Sequence, residues 1–267
     1  MQREVYSRIE LDVIERAHLV LQVAPARQPG LDIEETLVVE LDGVAQDVRE
    51  VADLHRGRVH LMDVDPGRLE ISYTGSVSGR AEPIGTEPLD PETYLRPSRY
   101  AESDRLGAMA AAEFGGLDNP ADLLAGVSSW VGERLIYVPG SSGPTDGAVD
   151  TMLARQGVCR DYAHLVLSLL RARDVPARLV SVYAPGLDPM DFHAVAEAHV
   201  DGQWRVVDAT LLAPRASLLR ISTGRDAADT AFLSTYRGVV NLRTMTVRAT
   251  VDGDLPVEDV TQLVDLG

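Results

Sequence analysis

The chain has 267 residues, with 41 acidic against 25 basic side chains, a formal net charge of −16 and a pI near 4.7. A surface of that sign repels phosphate backbones and anionic lipid, so neither nucleic acid nor membrane is an expected partner. Hydrophobic residues make up 45%, ample for a core without metal or disulfide staples, and a lone cysteine forbids an internal disulfide.

All 25 basic residues are arginine, so no lysine side chain is available to a lysine-seeking acyl-enzyme. The first residues, MQREVYSRIELDVIERAHL, are charged and lack an apolar signal region. No run approaches the roughly 18 apolar residues of a membrane span. The expected compartment is the cytoplasm.

Residues 1–85 read as an N-terminal β domain. HLVLQVAP, TLVVELDG, RVHLMDV and RLEISYTGSVSG are short β-branched or alternating runs divided by Gly, Pro and Asp. Alternation such as Leu69-Glu70-Ile71-Ser72-Tyr73 suits a strand with one buried face, and the regular spacing predicts a small antiparallel sandwich. The Pro- and acid-rich stretch AEPIGTEPLDPETYLRPS shows no periodicity, which predicts a linker over 86–98.

Residues 99–267 then read as an α+β domain, with helices ahead of an antiparallel sheet. SDRLGAMAAAEF (103–114) and NPADLLAGVSSWVGERL (119–135) are helical, the second opening with Asn119 as N-cap and Pro120 at its first position. ARLVSVYA, FHAVAEAHV and QWRVVDAT are strands, the last two joined by the Asp201-Gly202 hairpin signal. TMTVRATVDGD in the tail is another strand.

Cys159 opens a helix whose apolar positions Ala163, Val166, Leu167 and Leu170 fall at i, i+3, i+4 and i+7; Asp174-Val175-Pro176 stops it. A helix N-terminus favours negative charge and hence a thiolate, and Gly157 allows a close backbone approach there. A thiol in this position is either a small buried hydrophobe or a nucleophile, and a nucleophile needs a base that is itself oriented. His193 and Asp208 lie at nearly equal distances on either side of the Asp201-Gly202 turn. Paired strands would set them opposite each other, with Cβ atoms about 4.5–5.5 Å apart. A carboxylate there fixes the imidazole's tautomer and steadies the imidazolium.

GVCRDYAHL…LLRARDVPARLVSVY, HAVAEAHVDGQWRVVDAT and the lead-in YVPGSSGPTDGAVDTMLARQ resemble the bacterial transglutaminase-like superfamily, over roughly residues 95–245. The resemblance implies a papain-like fold preceded by an accessory β domain. It also implies a catalytic triad of Cys159, His193 and Asp208, acyl transfer from a peptide or protein amide through a thioester, and no cofactor. Three positions depart from the family pattern: Val195 stands for a tryptophan, Asp174 for a glycine and Val182 for a glycine. The first is expected to reshape the substrate pocket.

Other candidates take structural roles in this reading. His199 shares strand parity with His193, yet no second cysteine or CxxC completes a zinc set, so no metal is expected. His164 lies about 140° round the helix from Cys159 and is a surface or packing residue. Glu197 pairs with an arginine such as Arg160 or Arg178. Asp161 and Tyr162 cap and pack the helix start, Trp204 is core, and Gly140–Gly143 is a loop at the cleft. Tyr137 is the candidate side-chain oxyanion donor. The expected function is a transglutaminase-like cysteine protease or amidase, with hydrolysis favoured over amine crosslinking. The alternative is a catalytically silent fold used for peptide binding or scaffolding.

Overall fold

A computed structural model describes all 267 residues, Met1–Gly267. The first seven strands are β1 (Arg3–Val13), β2 (Ala17–Leu21), β3 (Leu31–Leu41), β4 (Val44–Ala45), β5 (Arg49–Ala52), β6 (Arg58–Val64) and β7 (Gly67–Gly79). Three helices follow: α1 (Asp90–Leu95), α2 (Ser103–Phe114) and α3 (Pro120–Arg134). Next come β8 (Ile136–Tyr137), α4 (Ala148–Ala154), β9 (Gln156–Gly157) and α5 (Cys159–Arg171). The chain ends through β10 (Ala177–Tyr183), β11 (Phe192–Val200), β12 (Gln203–Val207), β13 (Leu219–Gly224), α6 (Ala227–Thr230), β14 (Leu233–Tyr236) and β15 (Val240–Val251). No helix is long and apolar enough to cross a membrane.

Period-two alternation builds the sandwich. In β1 every second residue is buried, and its partner β7 sets Ile71 against Ile9 and Leu69 against Leu11. The five-stranded sheet runs β15-β1-β7-β3-β4 and the four-stranded sheet β14-β2-β6-β5. Their shared core includes Ile9, Leu11, Leu19, Leu21, Leu69 and Ile71, each contributing roughly 1.5–3 kcal/mol on burial.

The sandwich is not confined to residues 1–85. β15 pairs antiparallel with β1 from Arg3↔Val251 to Val13↔Val240, and β14 pairs with β2. The tail strand assigned by sequence to the second domain is therefore an edge of the first. A local window can show that a segment is a strand but not which distant strand it pairs with. The stretch 86–98 is likewise more than a spacer, because α1 buries Tyr94 edge-on against Trp204, ring centroids 5.5 Å apart.

In the second half, α2 to α5 pack on the sheet β12-β11-β10-β13. Asn119 caps α3 as expected, its Oδ1 accepting the Ala121 and Asp122 N–H groups at 2.9 and 3.2 Å. From Asp161 to Arg171, α5 is buried all round rather than on one stripe. Helices cover one side of it and the sheet the other. Its end explains one departure from the family pattern: Asp174 takes φ +60°, the left-handed geometry usually given to glycine. The sheet is fused to the sandwich as well, since Tyr183, Leu219 and Ile221 join the sandwich core and the Tyr183 hydroxyl donates to the Val23 carbonyl at 2.9 Å.

Candidate active site

Local chemistry holds Cys159 at the first position of α5. Val158 is extended (φ −114°, ψ −180°), and its N–H donates to the Asp161 carboxylate at 2.8 Å. That is the reciprocal half of an N-terminal cap, with the negative charge in the first helical turn. The other Asp161 oxygen accepts the Ser142 hydroxyl at 2.8 Å, tying the helix to the Gly140–Gly143 loop. A Cβ on Gly157 would stand 2.6 Å from Asp161 Cβ, so the residue before the cap has to be glycine for want of room. Arg160 anchors the same loop, donating to Ser142 Oγ and the Gly143 carbonyl at 2.6 and 2.8 Å. β8 runs parallel to β9 with Tyr137 beside Gly157, which brings the tyrosine to the segment that leads into Cys159.

His193 stands on β11 opposite Val182. Its Nε2 and Asp208 Oδ2 are 2.8 Å apart. The other carboxylate oxygen, Oδ1, accepts the Thr210 N–H and hydroxyl at 2.9 and 2.7 Å. The route by which His193 and Asp208 meet differs from the one the turn spacing suggested. The hairpin ladder runs from Val200↔Gln203 to Ala196↔Val207, so the two are not a cross-strand pair. Asp208 lies just past the last bridged residue. Thr210 fixes its carboxylate, and Ser128 of α3 bonds its backbone carbonyl at 3.3 Å. The Asp-x-Thr pattern, an Asx turn, was the available signal for Thr210.

His193 Nδ1 is buried without a hydrogen-bond partner, and its ring lines a cavity of about 380 Å³ together with the half-buried Cys159. Burial by itself would depress the imidazole. The Asp208 carboxylate, its hydrogen bond and then the Cys159 sulfur outweigh burial and raise His193 to about 10. Asp208 moves the other way: burial opposes its charge, but His193 and the Thr210 donors hold it below the usual carboxylate range. Burial, then the charge on Cys159, pushes the Tyr137 hydroxyl up to about 12, while a hydrogen bond with the Cys159 backbone opposes the rise. The phenol therefore stays protonated, a donor beside the sulfur.

The remaining candidates fall elsewhere. His164 is fully buried, stacked on Tyr100 with centroids 5.2 Å apart, and its Nε2 accepts the Ala227 N–H. Burial depresses it to about 3, so it is a neutral packing residue. His199 packs on Trp204 and lies 3.0 Å from Thr86 Oγ1. Glu197 pairs with Arg178 at 2.8 Å and Arg220 at 2.5 Å, all three buried, while Arg160 is engaged with the loop. The Arg178 guanidinium sits 3.8 Å from the Trp204 ring centroid. Val195 is buried with Val180, Val182 and Val206 and does not line the Cys159 cavity. Its departure from the family pattern is thus a repacking away from the cavity rather than a reshaped pocket. Asp191, Phe232 and Met245 line the cavity without having been singled out in the sequence.

The Transglutaminase-like superfamily profile matches residues 108–209, which run from α2 through Asp208. A crystal structure from Cytophaga hutchinsonii, named provisionally as a cysteine protease, is 31% identical, covers 98% of this chain and 96% of its own, and superposes with a TM-score of 0.88. The uncharacterized protein ML0607 of Mycobacterium leprae is 28% identical over 52% of this chain and 53% of its own length. The uncharacterized protein Rv2569c of Mycobacterium tuberculosis is 32% identical over 45% and 42%. The chain spans about half the length of these curated relatives. With a solved relative aligned nearly end to end and the profile spanning Cys159, His193 and Asp208, this chain belongs to the transglutaminase-like superfamily.

Proposed function

We propose that the chain is a cysteine hydrolase that cleaves an amide or peptide bond through a Cys159 thioester, in a cytoplasmic setting that keeps its one thiol reduced. The observation carrying this reading is the division of labour on His193: Nε2 is held by Asp208 while Nδ1, unpartnered, shares a cavity with the sulfur. The cavity reaches Cys159, which favours an enzyme over a silent binding module.

His193 Nδ1 takes the thiol proton and the thiolate attacks the amide carbonyl carbon. The Cys159 N–H and the Tyr137 hydroxyl are the donors for the oxyanion that forms. Collapse of the tetrahedral intermediate breaks the C–N bond as His193 returns the proton to the leaving amine. Water then gives a proton to His193 and attacks the thioester, releasing the acid and regenerating the thiol. Asp208 orients the imidazole and balances the imidazolium's charge.

The test is turnover of a peptide library by the intact chain, with and without added primary amine. Cleavage products that vanish in Cys159→Ala and His193→Ala support hydrolysis. Amine-bearing products in preference to free acid would reassign the acceptor. Cleavage that survives both substitutions refutes the mechanism.

A further inference from the structure

We infer that the Cys159 cavity is a recognition pocket for a bulky apolar side chain next to the carbonyl under attack, and that the β-sandwich supplies one wall of it. This rests on the proposed hydrolase reading and adds the substrate class.

The cavity that opens at the sulfur has sixteen lining residues, nine of them hydrophobic. Its volume of about 380 Å³ lies at the small end of ligand pockets, roughly 300–1,000 Å³. That is room for one large side chain and its adjoining backbone. Leu179 and Phe192 come from the sheet that carries His193. Phe232 and Met245 come from the segment that returns to the sandwich, Met245 on β15 itself. The Phe192 and Phe232 rings stack with centroids 5.4 Å apart and an interplanar angle of 18°. Tyr183 backs Phe192 at 5.5 Å and Tyr73 of the sandwich backs Tyr183 at 6.4 Å. Phe192, Phe232 and Met245 are each only partly buried against the sandwich core, which leaves apolar surface facing the cavity. A wall already locked in place loses little side-chain freedom when a ligand settles on it.

The polar lining points the same way. Arg160, the one guanidinium there, already donates to Ser142 and Gly143. Asp191, the one carboxylate, accepts its neighbour's Phe192 N–H at 2.7 Å. An acidic substrate side chain would meet no free guanidinium and would face Asp191, and the one other cation there, the His193 imidazolium, is already paired with Asp208.

The experiment measures how fast Cys159 of the intact chain is inactivated by N-acylated dipeptide chloromethyl ketones that differ only in the residue beside the ketone: Phe, Leu, Ala, Asp or Arg. The thiolate displaces chloride to form a C–S bond, read by mass spectrometry. The Phe reagent should react about 30-fold faster than the Ala reagent, the worth of burying one large apolar side chain, and the Asp reagent slowest. Met245→Asp should pull the Phe-to-Ala ratio toward one, with circular dichroism confirming the fold. The wild-type series decides alone if that variant unfolds. Equal rates, or a preference for Asp or Arg, with iodoacetamide still labelling Cys159 in a His193-dependent way, overturn the pocket and leave the hydrolase reading standing. Iodoacetamide labelling that does not depend on His193 overturns both.

Discussion

Replacing Asp208 by asparagine keeps the shape of the group beside His193 and removes its charge. An imidazole held at about 10 rather than its ordinary 6.5 favours the imidazolium by roughly 5 kcal/mol, at about 1.4 kcal/mol per tenfold change. The two side chains are 0% and 2% exposed, so solvent screens little of that interaction. In Asp208→Asn burial persists while its largest counterweight is gone, and the imidazole becomes a poor proton acceptor. Iodoacetamide alkylation of Cys159, followed by mass spectrometry from about pH 5 to 9, should fall at about pH 6 by roughly 100-fold or more, and amide turnover by about 10⁴-fold. Circular dichroism establishes that the variant is folded. Alkylation at pH 6 within about threefold of wild type would show that Asp208 does not govern the base.

The same pair sets a pH signature on stability. His193 is raised above its unfolded value, so its contribution is complete below about 6.5 and is lost as the pH rises toward about 10. Urea midpoints should therefore decline across that window in wild type and lose most of this slope in Asp208→Asn. In Glu197→Gln two guanidinium groups stay buried without their carboxylate, which should lower the urea-derived stability by about 3–5 kcal/mol. Gly157→Ala sets a Cβ 2.6 Å from Asp161 Cβ and 2.9 Å from Oδ2. It should expel the cap, costing about 1–2 kcal/mol in the same assay and slowing Cys159 alkylation.

Elements whose chemistry is local were legible in the sequence. Asn119-Pro120 announced α3 to the residue, and Asp201-Gly202 announced a two-residue turn, with φ +52° and +75°. Cys159, His193 and Asp208 stood out as candidates through their motifs, but the geometry joining His193 to Asp208 did not. Nothing in an alternating strand says that β12 ends at Val207 and lets Asp208 leave the ladder. β1 went unread within its charged first residues, although its alternation is regular: Arg3 is buried, its guanidinium bonded to the Gly267 carbonyl. β15 was readable as a strand, but its sheet, and with it the places of Phe232 and Met245, were beyond reach for another reason. Their places depend on pairing with β1 and β2 at the other end of the chain, which no local window contains.

Tyr137→Phe separates two roles that coincide at the sulfur. Alkylation by iodoacetamide forms no tetrahedral oxyanion, whereas amide cleavage forms two in succession. An oxyanion donor is needed only in the second reaction, while a group that tunes the thiolate is needed in both. The Tyr137 hydroxyl stays protonated up to about 12, so it remains a donor throughout the working pH range. Losing one such donor should reduce turnover by about 10²–10³-fold while leaving the alkylation rate within about threefold of wild type. Equal losses in both assays would make Tyr137 a positioning residue for the thiol. Unchanged turnover would remove it from the mechanism and leave the Cys159 N–H to hold the oxyanion without it.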